Sequence, residues 1–342
     1  MKRMLIALLA LVAACGTSAQ SAAPSDNGPL TLRLGYFPNL THAPAMAGLS
    51  KGFFASSLGG GVTLETHTFN AGGDAVTAIL SGSIDVSFVG PNPTTNAFAQ
   101  SHGEAIRVVA GATSGGALLV VKPSITSTAE LKGKRIADPQ LGGTQDVALR
   151  WFLKSNGLHS DTAGGGDVSI LPQDNSQTLT AFKQGQIDGA WVPEPWASRL
   201  VGEGHGKVLL DERDLWPQGR FVTTDLIVRT DFLRAHPKRI KALLEGLYEA
   251  VTYLNANSAD AQQLTNDAVT QITGKTLAAG VVAAAWPHMR FTLDPLASTL
   301  KASADHAHAV GLLPEIDLHG LYDLTLLNQV LAEHGQIPVS GL

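Results

Sequence analysis

Residues 75–89 read AVTAILSGSIDVSFV, and residues 178–192 read TLTAFKQGQIDGAWV. The two stretches agree in their small and apolar positions and share a Gly-x-Ile-Asp turn, so the chain uses one building block twice. In each copy a helix is expected to end at a glycine, Gly82 or Gly185, which can take the left-handed cap geometry. The isoleucine then packs, Asp85 or Asp188 shapes the turn, and a buried strand leaves it. Both strands run into proline, at GPNP over residues 90–93 and VPEPW over residues 192–196. Proline is tolerated in a first helical turn, so each strand should deliver the chain into a helix start.

Working outward, short β-branched runs alternate with helical segments from Leu30 onward, the pattern of an α/β domain with mixed or parallel sheets. Strands are expected at residues 31–36, 62–68, 85–89, 106–110 and 118–121, then at 135–137, 167–171, 189–192, 207–210 and 221–228. Residues 231–335 read as almost entirely helical, with apolar positions at three- and four-residue spacing over 237–255. Two copies of a strand-to-helix unit predict two similar lobes facing each other across a cleft, because ligands in open α/β sheets sit at strand ends. The first lobe is expected to hold residues 30–115 and 219–342, including the helical C-terminal third, and the second residues 116–218. The crossings near 113–117 and 219–224 are rich in Gly, Ser and Thr and would form the hinge.

The N-terminus sets location. Lys2 and Arg3 precede an apolar run from Met4 to Val12 that stops before Ala13-Ala14-Cys15, a secretory signal layout. That run is about half of the roughly 20 residues a spanning helix needs. Cys15 is the only cysteine, so no intramolecular disulfide forms. Its position resembles a bacterial lipobox, in which the cysteine is diacylated after residues 1–14 are removed; the alternative is an ordinary signal peptide with a cysteine near the cut. Residues 15–29 are small and polar and read as a flexible tether. The formal net charge of −5 and the lack of a basic stripe speak against a nucleic-acid partner.

Several segments together resemble a known family: LGYFPNLTHAP at 34–44, SGSID at 81–85 followed by GPN at 90–92, LKGK at 131–134 and WVPEPW at 191–196. They are similar to the sulfonate, nitrate and taurine group of ABC-importer binding proteins, over nearly the whole mature chain. The resemblance implies a two-lobed type II periplasmic-binding-protein fold, with the helical C-terminal third on the first lobe. It implies capture of a small anionic or zwitterionic solute, most of all a sulfonate, and delivery to an ABC permease and its ATPase. It also implies a monomer outside the cytoplasm, held to the membrane by Cys15 alone, with no cofactor, no metal and no catalytic residue.

The same resemblance places the ligand among Tyr36, Asn39 and His42; Gly90 and Asn92; Thr113, Ser114 and Gly115; and Gly142, Gly143, Thr144 and Gln145, with Trp191 and Glu194 closing the far side. The chemistry agrees. Thr41 to Pro44, Asn92 to Thr94 and Gly142 to Thr144 each read as a cap followed by a helix start. Helix N-termini offer unpaired N–H groups and a positive dipole end, so an oxyanion can be held without arginine. Glu194 stays open: pointing inward it would favour an ammonium group, pointing outward it is an acid in a helix first turn. Asn92→Ala and Gly143→Val are both expected to weaken binding and leave the fold intact.

Enzyme patterns fail on context. GLSKG at 48–52 has a helix where a nucleophile elbow needs a strand. GKT at 274–276 has Val269 where a phosphate loop needs glycine. His306 and His308 are two apart on a helix and face different directions. Cytosolic pyrimidine synthases and menaquinone-pathway enzymes of the same fold are the alternative of another class, and an export signal argues against them. A ligand-sensing lipoprotein is a third possibility that the sequence does not separate from transport.

Overall fold

Runs of Val, Ile, Leu and Thr form eleven strands in the computed structural model, which describes residues 28–342; the signal, Cys15 and residues 16–27 lie outside the described residues. The strands are β1 Leu30–Tyr36, β2 Val62–Thr68, β3 Val86–Val89, β4 Ile106–Gly115, β5 Ala117–Val121, β6 Arg135–Asp138, β7 Ser169–Pro172, β8 Gly189–Pro193, β9 Lys207–Asp211, β10 Val222–Arg229 and β11 Met289–Phe291. They make two mixed sheets. The first has the order β11-β4-β10-β3-β1-β2 and the second β7-β6-β8-β5-β9. Strand β1 runs parallel to β2 and β3, and β6 runs parallel to β7 and β8. Strand β10 lies antiparallel between β3 and β4, and β5 antiparallel between β8 and β9. The chain thus leaves the first sheet after β4, builds the whole second sheet, and returns with β10.

Each sheet is covered by helices on both faces, which is why β3, β5 and β8 are buried along their full length rather than alternating. On one face of the first sheet, helix Pro237–Ala256 lays Leu243, Leu244 and Leu247 against helices Ala43–Ser50 and Phe53–Leu58, around Phe54. Each such leucine contributes about 1.5–3 kcal/mol relative to exposure. The apolar spacing read over 237–255 is this face. On the other face, helices Gly72–Leu80, Pro91–Gln100 and Ala297–Ala309 bury Val76, Ile79, Phe98 and Leu300. The helical C-terminal third therefore packs on the first sheet.

The repeated unit is reproduced in three dimensions. Gly82 and Gly185 have φ of 74° and 73°, just past the helices Gly72–Leu80 and Asn175–Lys183. The aspartates do more than shape a turn. Asp85 accepts from the Arg33 backbone N–H at 3.0 Å and its Nε at 2.9 Å; Asp188 accepts from the Arg135 N–H at 2.9 Å and its Nε at 3.4 Å. Each ties its own strand to the preceding parallel strand.

Some features differ from expectation. Thr41 is not a cap: it lies in a short 3-10 turn over Leu40–His42 that follows Asn39, and helix Ala43–Ser50 has His42 at its N-cap position. Strand β11 lies in the stretch read as helical and pairs Met289 with Gly115; three residues are too few to carry an alternating pattern. Helix Pro91–Gln100 starts at Gly90, not at Asn92, because proline at its first position is preorganised for it. At the first crossing, Gly115 and Gly116 have φ of 78° and 81°. A side chain is strained there, and a Cβ on Gly116 would meet Met289 Cγ at 2.6 Å.

Candidate functional site

Between the sheets lies an inner cavity of about 50 Å³. Helices from both halves point their N-termini at it: Gly72–Leu80 and Pro91–Gln100 through Ala71, Gly72 and Gly90, and Thr144–Ser155 and Asn175–Lys183 through Gly143, Thr144 and Asn175. None of these four N-caps makes a side-chain capping bond. Their first-turn N–H groups lack intrahelical partners by the geometry of a helix. Among the described residues, no Lys, Arg, Asp or Glu lines the inner cavity. A wider mouth of about 310 Å³ continues outward through Asn39, Asn70 and Asn175, which line both spaces.

Of the residues named from sequence, Asn39, His42, Gly90, Gly143, Thr144 and Gln145 line the inner cavity. The others sit behind it. Tyr36 faces the core around Leu34 and Phe54, while Phe37, the next residue, packs on the opposite side and reaches the cavity wall. Asn92 turns away: its Nδ2 donates to Ser303 O at 3.1 Å and its Oδ1 accepts from Ser303 Oγ at 2.7 Å, joining two helices of the first half. Thr113 donates to Thr41 O at 2.7 Å, Ser114 Oγ accepts from Phe221 N–H at 3.3 Å, and Gly115 O accepts from Thr223 Oγ1 at 2.6 Å. Those three brace the strand crossing. Gly142 gives its N–H to Asp146 Oδ2 at 2.8 Å and supports the loop from below.

Trp191 is fully buried in the second half against Phe152, with its indole N–H on Glu212 Oε2 at 2.8 Å. Burial pushes Glu212 up to about 7, against the two indole N–H donors that favour its ionised form. Glu194 is buried as well. It points neither into the cavity nor into solvent: its carboxylate takes the Ser198 N–H at 3.0 Å and the Ser198 hydroxyl at 2.9 Å, at the start of helix Trp196–Gly202. Its carboxyl is pushed up by burial. The neighbours Pro193 and Trp196 line the cleft instead.

Electrostatically the inner cavity is lined by uncharged polar groups and backbone. His42 Nδ1 accepts from the Phe37 N–H at 3.3 Å, so the neutral ring carries its proton on Nε2. The ring stacks on Phe37 at 4.3 Å, and burial lowers its pKa to about 3. Beneath the 139–143 loop, Asp146 Oδ1 takes Arg150 Nε at 2.7 Å, and Asp138 Oδ1 takes the Gln140 N–H at 3.0 Å. Asp138 is raised well above an ordinary carboxyl by burial and by Asp146 beside it. This buried group holds the loop that presents Gln140 and Gly143.

The halves touch around the cavity. Gln140 Oε1 accepts the Gly73 N–H at 2.7 Å, Trp196 Nε1 donates to Asn39 Oδ1 at 3.0 Å, and Glu194 O accepts the Leu40 N–H at 3.1 Å. At Gly90 the approach leaves no room for a side chain, since a Cβ there would run into Thr144 Oγ1 of the other half.

Asn70, Gly72, Gln140, Asn175, Trp196 and Thr223 were not singled out from sequence. A signal existed for two of them. Extending the 75–89 and 178–192 repeat upstream aligns Gly72 with Asn175, so both copies begin their helix at the cleft.

Several known proteins are similar to this chain in sequence or fold. The taurine-binding periplasmic protein of Escherichia coli K12 is 30% identical over 190 residues, covering 56% of this chain and 57% of that protein. The match therefore spans little more than half of that relative's length. The alkanesulfonate-binding protein SsuA of Xanthomonas axonopodis pv. citri, bound to MOPS, superposes with a TM-score of 0.70 at 23% identity, covering 84% of this chain and 96% of that one. The nitrate-binding protein NrtA of Synechocystis PCC 6803 superposes with a TM-score of 0.72 at 19% identity, covering 91% of each. The fold is that of the periplasmic binding proteins. Residues 25–268 match the NMT1-like family, and the chain belongs to it.

Proposed function

We propose that this chain captures a small organic sulfonate between two closing lobes and hands it to the permease of an ABC importer. The observation that carries the reading is the inner cavity: helix N-termini from both halves and the neutral His42 ring surround it, and among the described residues no charged side chain lines it. Such a cradle favours an oxyanion over a cation. An anion spanning the halves takes donors from both, so it binds the closed arrangement better than the open one and draws the equilibrium toward it. The lobes correspond to the two sheets, with residues 113–117 and 219–224 as the hinge.

A sulfonate with a carbon tail is favoured over nitrate or bicarbonate by the mouth. Its walls include Phe69, Leu179, Trp196 and Leu277, apolar surface that an inorganic anion has no use for. The taurine-binding and SsuA relatives support the sulfonate head group. Export and lipidation at Cys15 complete the proposal, placing the protein outside the cytoplasm beside its permease.

A thermal-shift panel of alkanesulfonates, taurine, aromatic sulfonates, nitrate and bicarbonate tests the ligand class. At a hundred times its dissociation constant a true ligand stabilises by about 2.7 kcal/mol. A shift with sulfonates is expected; shifts with inorganic anions alone refute the organic-sulfonate reading. Fractionation of cells expressing Cys15→Ala tests the anchor, with release from the membrane as the expected result.

A further inference from the structure

His306 lines neither the inner cavity nor its mouth, yet its ring crosses from one half of the molecule to the other. It projects from helix Ala297–Ala309, which packs on the first sheet, and stacks on Trp151 of helix Thr144–Ser155 in the second half, with ring centroids 4.3 Å apart and planes 12° from parallel. Trp216, also of the second half, closes on the same ring at 5.7 Å. Trp216 is held in turn by Phe221, stacked at 5.6 Å, and by Glu212, whose Oε1 accepts its indole N–H at 3.4 Å. A histidine of the first half therefore sits in an aromatic seat built by the second. His308, two positions on, faces elsewhere and brings its Nδ1 within 3.2 Å of Leu313 O.

The seat is mechanically tied to the cleft. Thr144, which meets Gly90 where the halves close, and Trp151 lie seven residues apart on one helix, two turns and about 10 Å along the same face. Val147, between them, packs into the core of the first half. On the other side Asn92, in the first turn of helix Pro91–Gln100, is bonded to Ser303, three residues before His306. One side is thus a single helix and the other a pair of cross-braced helices. Lys154 extends the same seam by donating to Ala309 O. Withdrawing Thr144 from Gly90 moves Trp151 relative to His306, so the aromatic contact belongs to the closed arrangement.

We propose that His306 is a positioning residue for closure: seated between Trp151 and Trp216, it holds the two halves together and so sets affinity without touching the solute. The inference rests on the reading of two closing lobes and is independent of which anion they capture. A solute that needs the closed form loses apparent affinity in proportion to the closed fraction lost.

Closure can be read with no solute present. A Cβ on Gly90 would lie 3.5 Å from Thr144 Cβ, a separation a disulfide bridges, so Gly90→Cys with Thr144→Cys traps the closed form. The full chain carrying this pair and Cys15→Ala is reduced, then exposed to a fixed concentration of oxidised glutathione, which takes up the two electrons and two protons of the thiols, and the rate of disulfide formation is followed. His306→Ala is expected to slow that rate about 3- to 20-fold, the loss of one or two aromatic contacts. His306→Phe keeps a ring in the seat and should stay within about twofold of the parent pair. Melting temperatures of the reduced proteins should be nearly equal. An unchanged rate in His306→Ala overturns the proposal, and so does a fall of the same size in His306→Phe. A fall matched by an equal loss of folding stability overturns it too, because the ring would then serve the fold and not closure. No cross-link in the parent pair overturns the closing lobes along with it.

Discussion

Gly90→Ala separates closure from folding. Gly90 has φ of −77° and ψ of 167°, a conformation alanine adopts without strain. The added methyl group meets nothing closer than 3.4 Å in its own half, where Thr223 O lies, but it runs into Thr144 Oγ1 inside the 3.0 Å limit that real Cβ contacts respect. Thr144 belongs to the other half, so the clash exists only when the halves meet. Overpacking of this kind costs about 1–3 kcal/mol, and if binding requires closure the dissociation constant rises about 5- to 150-fold. The ligand-free protein should keep its stability, or gain up to about 1 kcal/mol as the unfolded chain loses freedom. Calorimetry on a sulfonate that binds, with melting curves of the ligand-free proteins, reads both effects. Thr144→Ala should relieve the clash, so the double variant loses less affinity than the two single variants predict together. Wild-type affinity in Gly90→Ala, or a drop in ligand-free stability equal to the loss in binding, would refute the reasoning.

Four further outcomes follow from the same geometry. Asn92→Ala should now cost stability rather than affinity, about 1–3 kcal/mol for the two bonds to Ser303, seen by denaturant melts, while Gly143→Val still weakens binding because a Cβ there meets Gln140 O at 2.9 Å. His42 has a folded pKa near 3 against about 6.5 unfolded, so the unfolded chain binds the extra proton between those values and stability falls as pH drops through that window. The effect amounts to a few kcal/mol at most; His42→Gln should flatten this part of the pH–stability curve, and an unchanged curve would show that the ring titrates normally. Trp196→Phe removes the bond to Asn39 across the cleft and should weaken ligand binding about 2- to 10-fold, measured by calorimetry, with little change in ligand-free melting.

Much of the architecture could be read locally. The repeated Gly-x-Ile-Asp turn, the prolines after each strand and the glycine pairs are short-range signals, and they placed strand ends and helix starts within a few residues. The cleft residues that the family resemblance named and that line the cavity are Asn39, His42, Gly90, Gly143, Thr144 and Gln145, and the last four sit at helix starts, where the backbone itself faces the cavity. Side chains were harder. Tyr36 and Phe37 are adjacent, and only the layering of helices on the sheet says which of the two turns toward the cavity. In β8 every residue is buried, so no alternation marks Trp191 as core. Asn92 meets Ser303 and Trp191 meets Glu212 across long or looped stretches of chain.

By itself the sequence determined two α/β halves, their chain order and a donor-rich set of helix starts, because strand period, turn chemistry and capping act over a few residues. Only the tertiary structure decided which side chains face the solute and which serve as braces, because that depends on how each helix is rotated against its sheet and on what the other half brings to meet it.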